Sequence, residues 1–451
     1  MKEAISPVKL TASMALDFVK ENDVKFVRLS FCDIFGLQKN ISILADELET
    51  AFENGISFDA HAIRGFRDIT QSDLLLFPDP STLTVLPWRP GPGRVISLFC
   101  DIKTPNGAEF EHDTRLILKK VTDRSIKMGY DCKIGAECEF YLFKTDAAGE
   151  PTNITIDNGS YLDIAPLDKG EDIRREICLT LEEMGIKPES SHHEQGPGQN
   201  EIDFRFDSAV TSADNLQTFK KVVKAISSRN GLFASFMPKP IMNAPGNGMH
   251  VNISLYKNGN NIFKNFNDGH SKDAESFIAG ILDKVQDIAL FLNPIVNSYE
   301  RLGNYEAPKY VSWSHQNRSQ LVRIPAASGE NVRMELRSPD TSLNPYLAFA
   351  LIISAGLDGI EKKLVLPAAI DEDLYLANSN ITKNLAQLPD TLEKAIELAE
   401  KSAFVKNVIG DQLLLKYIGA KKIEAGNFAE YVKADGEGKD RFYKEKYFNV
   451  Y

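Results

Sequence analysis

The sequence predicts an α+β protein: a small N-terminal unit, then a larger one in which helices alternate with strands. Three observations predict it. Lys133–Phe143, Asn200–Phe206, Met249–Leu255 and Val332–Ser338 alternate with period two, so each reads as a strand. Between and around them, residues 115–129, 171–185, 215–231 and 272–292 carry the spacing of amphipathic helices. The first 105 residues show the short strand-and-turn spacing of a separate small unit.

In chain order, residues 11–21 predict a helix capped by Thr11 or Ser13. Val24–Asp33 alternates as a strand, and residues 34–43 read as its hairpin partner around Gly36. Residues 47–55 are a short helix stopped by Gly55. Residues 75–90 mix short strands with proline turns, and residues 93–102 form a further strand. KTPNGAEFEHD (Lys103–Asp113) is the natural linker, dividing a unit 1–105 from a unit 106–451. Residues 344–364 predict a strongly apolar, buried helix, and the C-terminal region is helical and charged.

The 451 residues are 43% hydrophobic and 25% charged, an ordinary globular composition whose length favours at least two domains. Net charge of -11 argues against nucleic acid and anionic membrane as partners, which want surplus Lys and Arg. Cys32, Cys100, Cys132, Cys138 and Cys178 are odd in number and include no CxxC, which reads as reduced thiols. No stretch has the length of a transmembrane span or the apolar core of a signal peptide, so the expected location is the cytoplasm.

The four alternating strands carry the chemistry. One face of each is apolar. The other holds Glu137 and Glu139; Glu201, Asp203 and Arg205; His250, Asn252 and Ser254; Arg333, Glu335 and Arg337. A solvated strand face is the bland reading, but carboxylate and imidazole suit divalent cations and arginine forks suit phosphates and carboxylates. Glu137 and Glu139 lie roughly 7 Å apart on one strand face and repel unless a cation sits beside them. SHHEQGPGQNE (Ser191–Glu201) adds Glu194 around a Gly-Pro-Gly turn; of His192 and His193, at most one faces the same way. KPIMNAPGNGMHVNIS (Lys239–Ser254) brings glycines up to His250, without the GK[ST] of a Walker loop. Arg301, Arg318, Arg323, Arg333 and Arg337 crowd one region with Glu306 and little Lys, interleaved with Trp313, Leu321 and Ile324. Together these residues point to metal-assisted phosphoryl transfer on an anionic substrate.

In this order, ECE, SHHExxPGQxEIDF, KPxxxxPGNGMHxNxS, YEAP, NRSxLxRIP and RxELRSPDxxxNPYL, the motifs resemble type I glutamine synthetase in its short form, over nearly the whole chain. The resemblance implies an N-terminal β-grasp domain and a catalytic domain with a curved, mainly antiparallel sheet flanked by helices. It implies a dodecamer of two hexameric rings with active sites between neighbouring subunits. Glu139, Glu194 and Glu201 would hold one divalent ion, Mg²⁺ or Mn²⁺, and Glu137, His250 and Glu335 a second. Arg301, Arg337 and Gly246 would bind glutamate. Arg318 and Arg323 would bind the ATP phosphates, and Phe206, Asn252, Ser254 and Arg333 would lie on the nucleotide side. Glu306 would be the flap residue, with Asp59 and Tyr161 in the ammonium pocket. The implied reaction makes γ-glutamyl phosphate from ATP and glutamate, then glutamine from ammonia.

Some residues depart from the family pattern. FDAHAIRGF (Phe58–Phe66) stands where the family reads FDGSSI: Asp59 stays, Ala62 lacks a hydroxyl, and His61 either enters the pocket or faces solvent. That change keeps open an organic amine as the nucleophile. Pro245 replaces a glutamate-contacting Asn and Asp68 a regulatory Arg. Tyr375 sits where some members are adenylylated, and no modification is expected.

Overall fold

A computed structural model describes residues 10–88, 93–264, 271–434 and 436–451; Arg89 and Pro90, the end of the expected proline-turn segment, lie outside them. The chain divides into two compact units. One runs to Leu116 and includes Glu182–Gly185; the other is Ile117–Leu181 with Ile186–Tyr451.

In the first unit, α1 (Ala12–Glu21) is capped by Thr11, whose Oγ1 accepts from the Met14 N–H. β1 (Val24–Cys32) and β2 (Gln38–Leu44) form the expected antiparallel hairpin, with Gly36 at φ 83° in the turn. α2 (Leu48–Asn54) stops at Gly55, and β3 (Ile56–Asp59), β4 (Asp73–Pro78), β5 (Thr84–Val85) and β6 (Arg94–Lys103) follow. The sheet order is β2-β1-β6-β4-β3, with β5 paired to β6. Fully buried Val27, Leu29, Ile96 and Leu98 sit in its core. The Lys103–Asp113 stretch is packed rather than loose. Phe110 is wholly buried against Phe66, and Asp113 Oδ2 accepts the Ile102 N–H.

The second unit follows as α3 (Thr114–Lys127, whose first turn groups with the first unit), β7 (Asp131–Thr145), β8 (Pro151–Thr155), α4 (Glu171–Glu183), β9 (Pro188–His193), β10 (Gln199–Phe204), β11 (Asp207–Ser208), α5 (Ala209–Arg229), β12 (Leu232–Ser235), β13 (Met249–Lys257), β14 (Asn260–Asn261), α6 (Lys272–Leu292), β15 (Trp313–His315), β16 (Val322–Ile324), β17 (Met334–Leu336) and α7 (Pro345–Lys362). The helices α8 (Ser379–Thr382), α9 (Leu392–Lys401), α10 (Ala403–Ile409), α11 (Asp411–Ala434) and α12 (Gly438–Tyr443) close it. The sheet runs β15-β16-β17-β13-β7-β10-β9, and only β15 and β16 pair in parallel along it. The long strand β7 also carries β8, β11 and β12. Its apolar side, Ile134, Ala136, Cys138 and Phe140, is buried, with α5 packed on β7.

One part of the alternation breaks. The predicted strand 200–206 ends at Phe204, after a register irregularity between Asp203 and Phe204. Arg205 therefore leaves the polar face; its side chain is exposed and lies 3.7 Å from Glu189. Phe206, which the alternation would put in the core, is 43% exposed. Past a strand's end, period two no longer decides which side a residue takes.

α7 is the expected buried apolar helix. It meets α6 at glycines. A Cβ on Gly280 would stand 2.2 Å from the Ala355 carbonyl oxygen, and one on Gly359 2.1 Å from the Ser276 carbonyl oxygen. Backbone cannot give way as a side-chain tip does, so Gly280→Ala is expected to destabilise by about 1–3 kcal/mol. Gly426, in α11, has nothing within 4 Å of its would-be Cβ, so Gly426→Ala should instead stabilise by about 0.5–1 kcal/mol. Urea unfolding of the two variants checks the opposite signs.

Candidate active site

Register brings the polar faces together. Antiparallel pairing sets Glu201 opposite Glu139 and Asp203 opposite Glu137. β13 places His250 opposite Glu137, and β17 places Glu335 opposite Asn252. Opposed residues on adjacent strands are side-chain neighbours. Glu137, Glu139, Glu201, Asp203 and His250 form one wall of a cavity of about 760 Å³, which all five clustered arginines also line.

Of three groups among the described residues that could hold an ion, Asp157, Asp168 and His193 form one and the other two belong to this face. Ligand atoms of Glu137, His250 and Glu335 all lie within 4.8 Å of one another, as do those of His192, Glu194 and Glu201. His250 Nδ1 is 3.3 Å from Glu137 Oε2 and 3.4 Å from Glu335 Oε1. Glu139 stands beside the second group, its Oε2 accepting from Gln199 Nε2 and the Gly248 N–H at 2.9 Å each. Burial, then the neighbouring Glu194, push the Glu139 carboxyl up to about 8. Burial and Asp203 likewise raise Glu201, while burial and Glu137 raise Asp203. Asp203 Oδ1 is buried with no hydrogen-bond partner among the described residues. Crowded, dry carboxylates with imidazoles at hand fit divalent cations, which remove the cost of ionising them.

The arginines are engaged rather than adrift. Glu335, 1% exposed, takes a hydrogen bond from Arg337 Nη1 at 2.5 Å and one from Arg323 Nη1. Arg337 Nη2 reaches the Glu306 carbonyl at 3.2 Å. Arg301 donates to the Ser338 and Arg337 carbonyls. Arg301 also explains the glycines before His250: a Cβ on Gly248 would lie 2.6 Å from its Nη2, and one on Gly246 3.0 Å from its Cγ. Gly248 makes room for the guanidinium, while Gly246 lies against the Arg301 stem and, more closely, the Pro238 carbonyl, and itself lines the cavity. Glu306 Oε1 accepts from Gln195 Nε2, while its other oxygen stands 3.8 Å from Arg318 and from Arg337.

A second cavity, of about 560 Å³, is lined by Gly135, Phe206, Asn252, Ser254 and Arg333. Glu137, Asp203 and Arg333 line both cavities. Phe206 leaves the core for this wall, against the alternation.

Tyr161 lies edge-on to His192 with ring centroids 5.6 Å apart, and both line the larger cavity. Its loop hangs on Asp157, which accepts from the N–H groups of Gly159, Lys169 and Gly198 and from His193 Nε2. His193 Nδ1 meets the Glu194 carbonyl at 2.6 Å. Both its ring nitrogens face acceptors, an arrangement that favours the doubly protonated imidazole. Burial opposes that charge, but the hydrogen bonds to Asp157 and Glu194 raise His193. Against the same burial, bonds from His193, Lys169 and Gly159 hold Asp157 down at about 2. His192 and His193 thus point to opposite sides, as adjacent strand residues must. Asp59 closes β3 in the N-terminal unit, its Oδ1 accepting the His61 N–H; His61 is exposed and Ala60 wholly buried.

Sequence reasoning missed several members of this site, among them Gln199, His192, Gln195 and Tyr305. Gln199 orients Glu139, and its place two residues before Glu201 on β10 was the signal. His192 was passed over in favour of carboxylates. Gln195, in the turn, had no periodicity to reveal it.

A curved sheet whose polar face gathers two carboxylate–imidazole groups and five arginines defines a metal-dependent enzyme acting on anionic, phosphorylated substrates. Comparison with known proteins gives the family. The family models for the glutamine synthetase beta-Grasp and catalytic domains match residues 23–105 and 111–436. A glutamine synthetase of Clostridium saccharobutylicum is 46% identical over 92% of this chain and 95% of its own. Among solved structures, a GmaS/ADP complex superposes with TM-score 0.84 at 31% identity, covering 92% of this chain and 96% of that one. Plasmodium falciparum glutamine synthetase superposes with TM-score 0.83 at 25% identity, covering 93% and 97%. The chain belongs to the glutamine synthetase family. No helix among the described residues is long and apolar enough to cross a membrane.

Ion binding requires the raised carboxyls to ionise, so protons compete with it. Mg²⁺ or Mn²⁺ at ~100 times its dissociation constant should stabilise the fold by about 2.7 kcal/mol. The accompanying rise in Tm should shrink as pH falls from about 8, where Glu139 titrates, towards about 6. Thermal unfolding with and without the ion measures both effects.

Proposed function

We propose that this cleft joins ammonia to the γ-carboxylate of L-glutamate through γ-glutamyl phosphate, with ATP as phosphoryl donor, giving glutamine, ADP and phosphate. The observation that carries the reading is the convergence of Glu137, His250, His192, Glu194, Glu201 and all five arginines on one cavity, with Glu335 held against His250 and Arg337, next to a second cavity lined by Phe206, Asn252 and Ser254. Glu139, Glu194 and Glu201, with His192 beside them, are the ligands of one ion; Glu137, His250 and Glu335 are those of the other. Ions held there supply neutralising charge for phosphoryl oxygens. Mg²⁺ suits the oxygen-rich set and Mn²⁺ the sets with imidazole.

The chain's own groups then divide the work. Arg301 and Arg337, both buried, bind the glutamate carboxylates together with Gly246. Arg318 and Arg323 bind the transferred phosphate. Phe206, Asn252, Ser254 and Arg333 bind the nucleotide side. Fixed guanidinium charges in a buried site stabilise the spreading negative charge of phosphoryl transfer without reorganising. Glu306, with Tyr161, binds ammonium and takes up its proton, and Asp59 completes the pocket across the interface between neighbouring subunits that the family resemblance implies; ammonia then attacks the acyl phosphate and phosphate leaves. The same reading includes a homo-oligomer, a dodecamer of two hexameric rings, working in the cytoplasm.

The test is an assay of glutamate-dependent phosphate release with ammonium and with a panel of organic amines. Turnover with ammonium and formation of γ-glutamyl hydroxamate support the reading; turnover confined to an organic amine rejects it. Glu335→Ala and Arg337→Ala should each lower kcat by about 10²–10³ while far-UV circular dichroism is unchanged. Near-normal turnover in either variant would contradict its role.

A further inference from the structure

The turn that carries Glu306 is strained. Within residues 301–308 the Gly303 N–H donates to the Ala307 carbonyl and the Ala307 N–H to the Asn304 carbonyl. At the tip, Tyr305 and Glu306 have φ of 46° and 64°, two successive non-glycine residues in the left-handed region. Such a conformation persists only where its surroundings over-determine it. On the cleft side, Arg337 and Gln195 hold Glu306. On the other side the support comes from Lys239, the first residue of the glycine-bearing stretch before His250. Lys239 is 2% exposed, and its ammonium lies 4.4 Å from the centroid of the Tyr305 ring. Lys239 is itself fixed: its Nζ donates to the Ala244 carbonyl at 2.5 Å, and its backbone exchanges two hydrogen bonds with the Asn297 amide. The tip of the same ring is pinned as well, Tyr305 Oη donating to the Asn243 carbonyl at 3.1 Å. The segment that grips Tyr305 runs directly into Pro245 and Gly246, which line the cavity.

We propose that Tyr305 is a positioning residue: held face-on by the Lys239 ammonium and tip-on by the Asn243 carbonyl, it keeps the strained turn in the one shape that sets Glu306 over the cleft and bars water. A cation against an aromatic face is worth most where water is excluded, as at Lys239. The inference rests on the acyl-phosphate reading. With the turn loosened, water in place of ammonia adds to the γ-acyl carbon and phosphate leaves, so that glutamate is regenerated and ATP is spent without amide.

The experiment uses the full-length enzyme and measures glutamine formed per phosphate released at saturating ammonium, with KM for ATP alongside. Tyr305→Leu should lower that ratio roughly tenfold with KM for ATP unchanged, since small misplacements near reacting groups have large rate effects. Tyr305→Phe, which keeps the ring over Lys239 and loses only the hydroxyl, should fall between Leu and wild type. Lys239→Met should fall with the Leu variant. Tyr305 is half exposed, so its variants remain informative even where the Lys239 variant does not fold. A wild-type ratio in Tyr305→Leu overturns the inference. So does an equal loss of both products, which marks a merely structural contact. A wild-type enzyme that releases phosphate but never makes glutamine overturns the functional reading and this inference with it.

Discussion

Crowding of like charge on one face of a sheet is the constraint around which the catalytic unit is organised. Pairing sets Glu201 against Glu139 and Asp203 against Glu137, and burial removes the water that would otherwise screen them. Left alone, such a face would have to hold protons, and Glu139 and Glu201 show that pressure. The arginines offset part of it. Glu335 has two guanidinium partners, which match its charge within the protein. The remaining imbalance is what a divalent cation relieves, so the chain carries an electrostatic deficit that only its ligands complete. Stability and function are coupled here: the charges that make the empty cleft costly are those that bind.

Behind this face stands a layer of support with no chemistry of its own. Gln199 aims Glu139, and Asp157 ties the Tyr161 loop to the Gly198 turn. His193 joins Asp157 to the backbone of Glu194. Such partners fix the rotamer and direction of the groups that bind, without touching what is bound. Gly248, before His250, belongs to the same layer, since its missing side chain admits the Arg301 guanidinium.

Much of this was legible in the sequence because period two is a strong geometric rule. The four alternating stretches became β7, β10, β13 and the β17 region, and their polar faces converged as alternation requires. Thr11, Gly36 and Gly55 were readable because capping and turns are local. What escaped was tertiary. Arg205 and Phe206 lie past the end of β10, where alternation stops applying. Gln195 and Tyr305 sit in turns, where direction is set by hydrogen bonds to residues far along the chain. His192 and His193 could be assigned opposite sides but not told apart, because neither spacing nor type says which side is wet. The metal and substrate roles came from the order of whole motifs, not from any one of them.

The wall common to the two cavities has a consequence for traffic. Glu137 and Asp203 stand between the compartment lined by Phe206 and the one lined by Arg301. Arg333 lines both compartments with them, so a bare polyphosphate moving inward meets a single guanidinium at a wall that otherwise carries two carboxylates. A polyphosphate that travels with its counter-ion, or follows an ion already seated, meets attraction instead. The wall therefore acts as a customs post, favouring a loading sequence in which cations precede or accompany the nucleotide's tail.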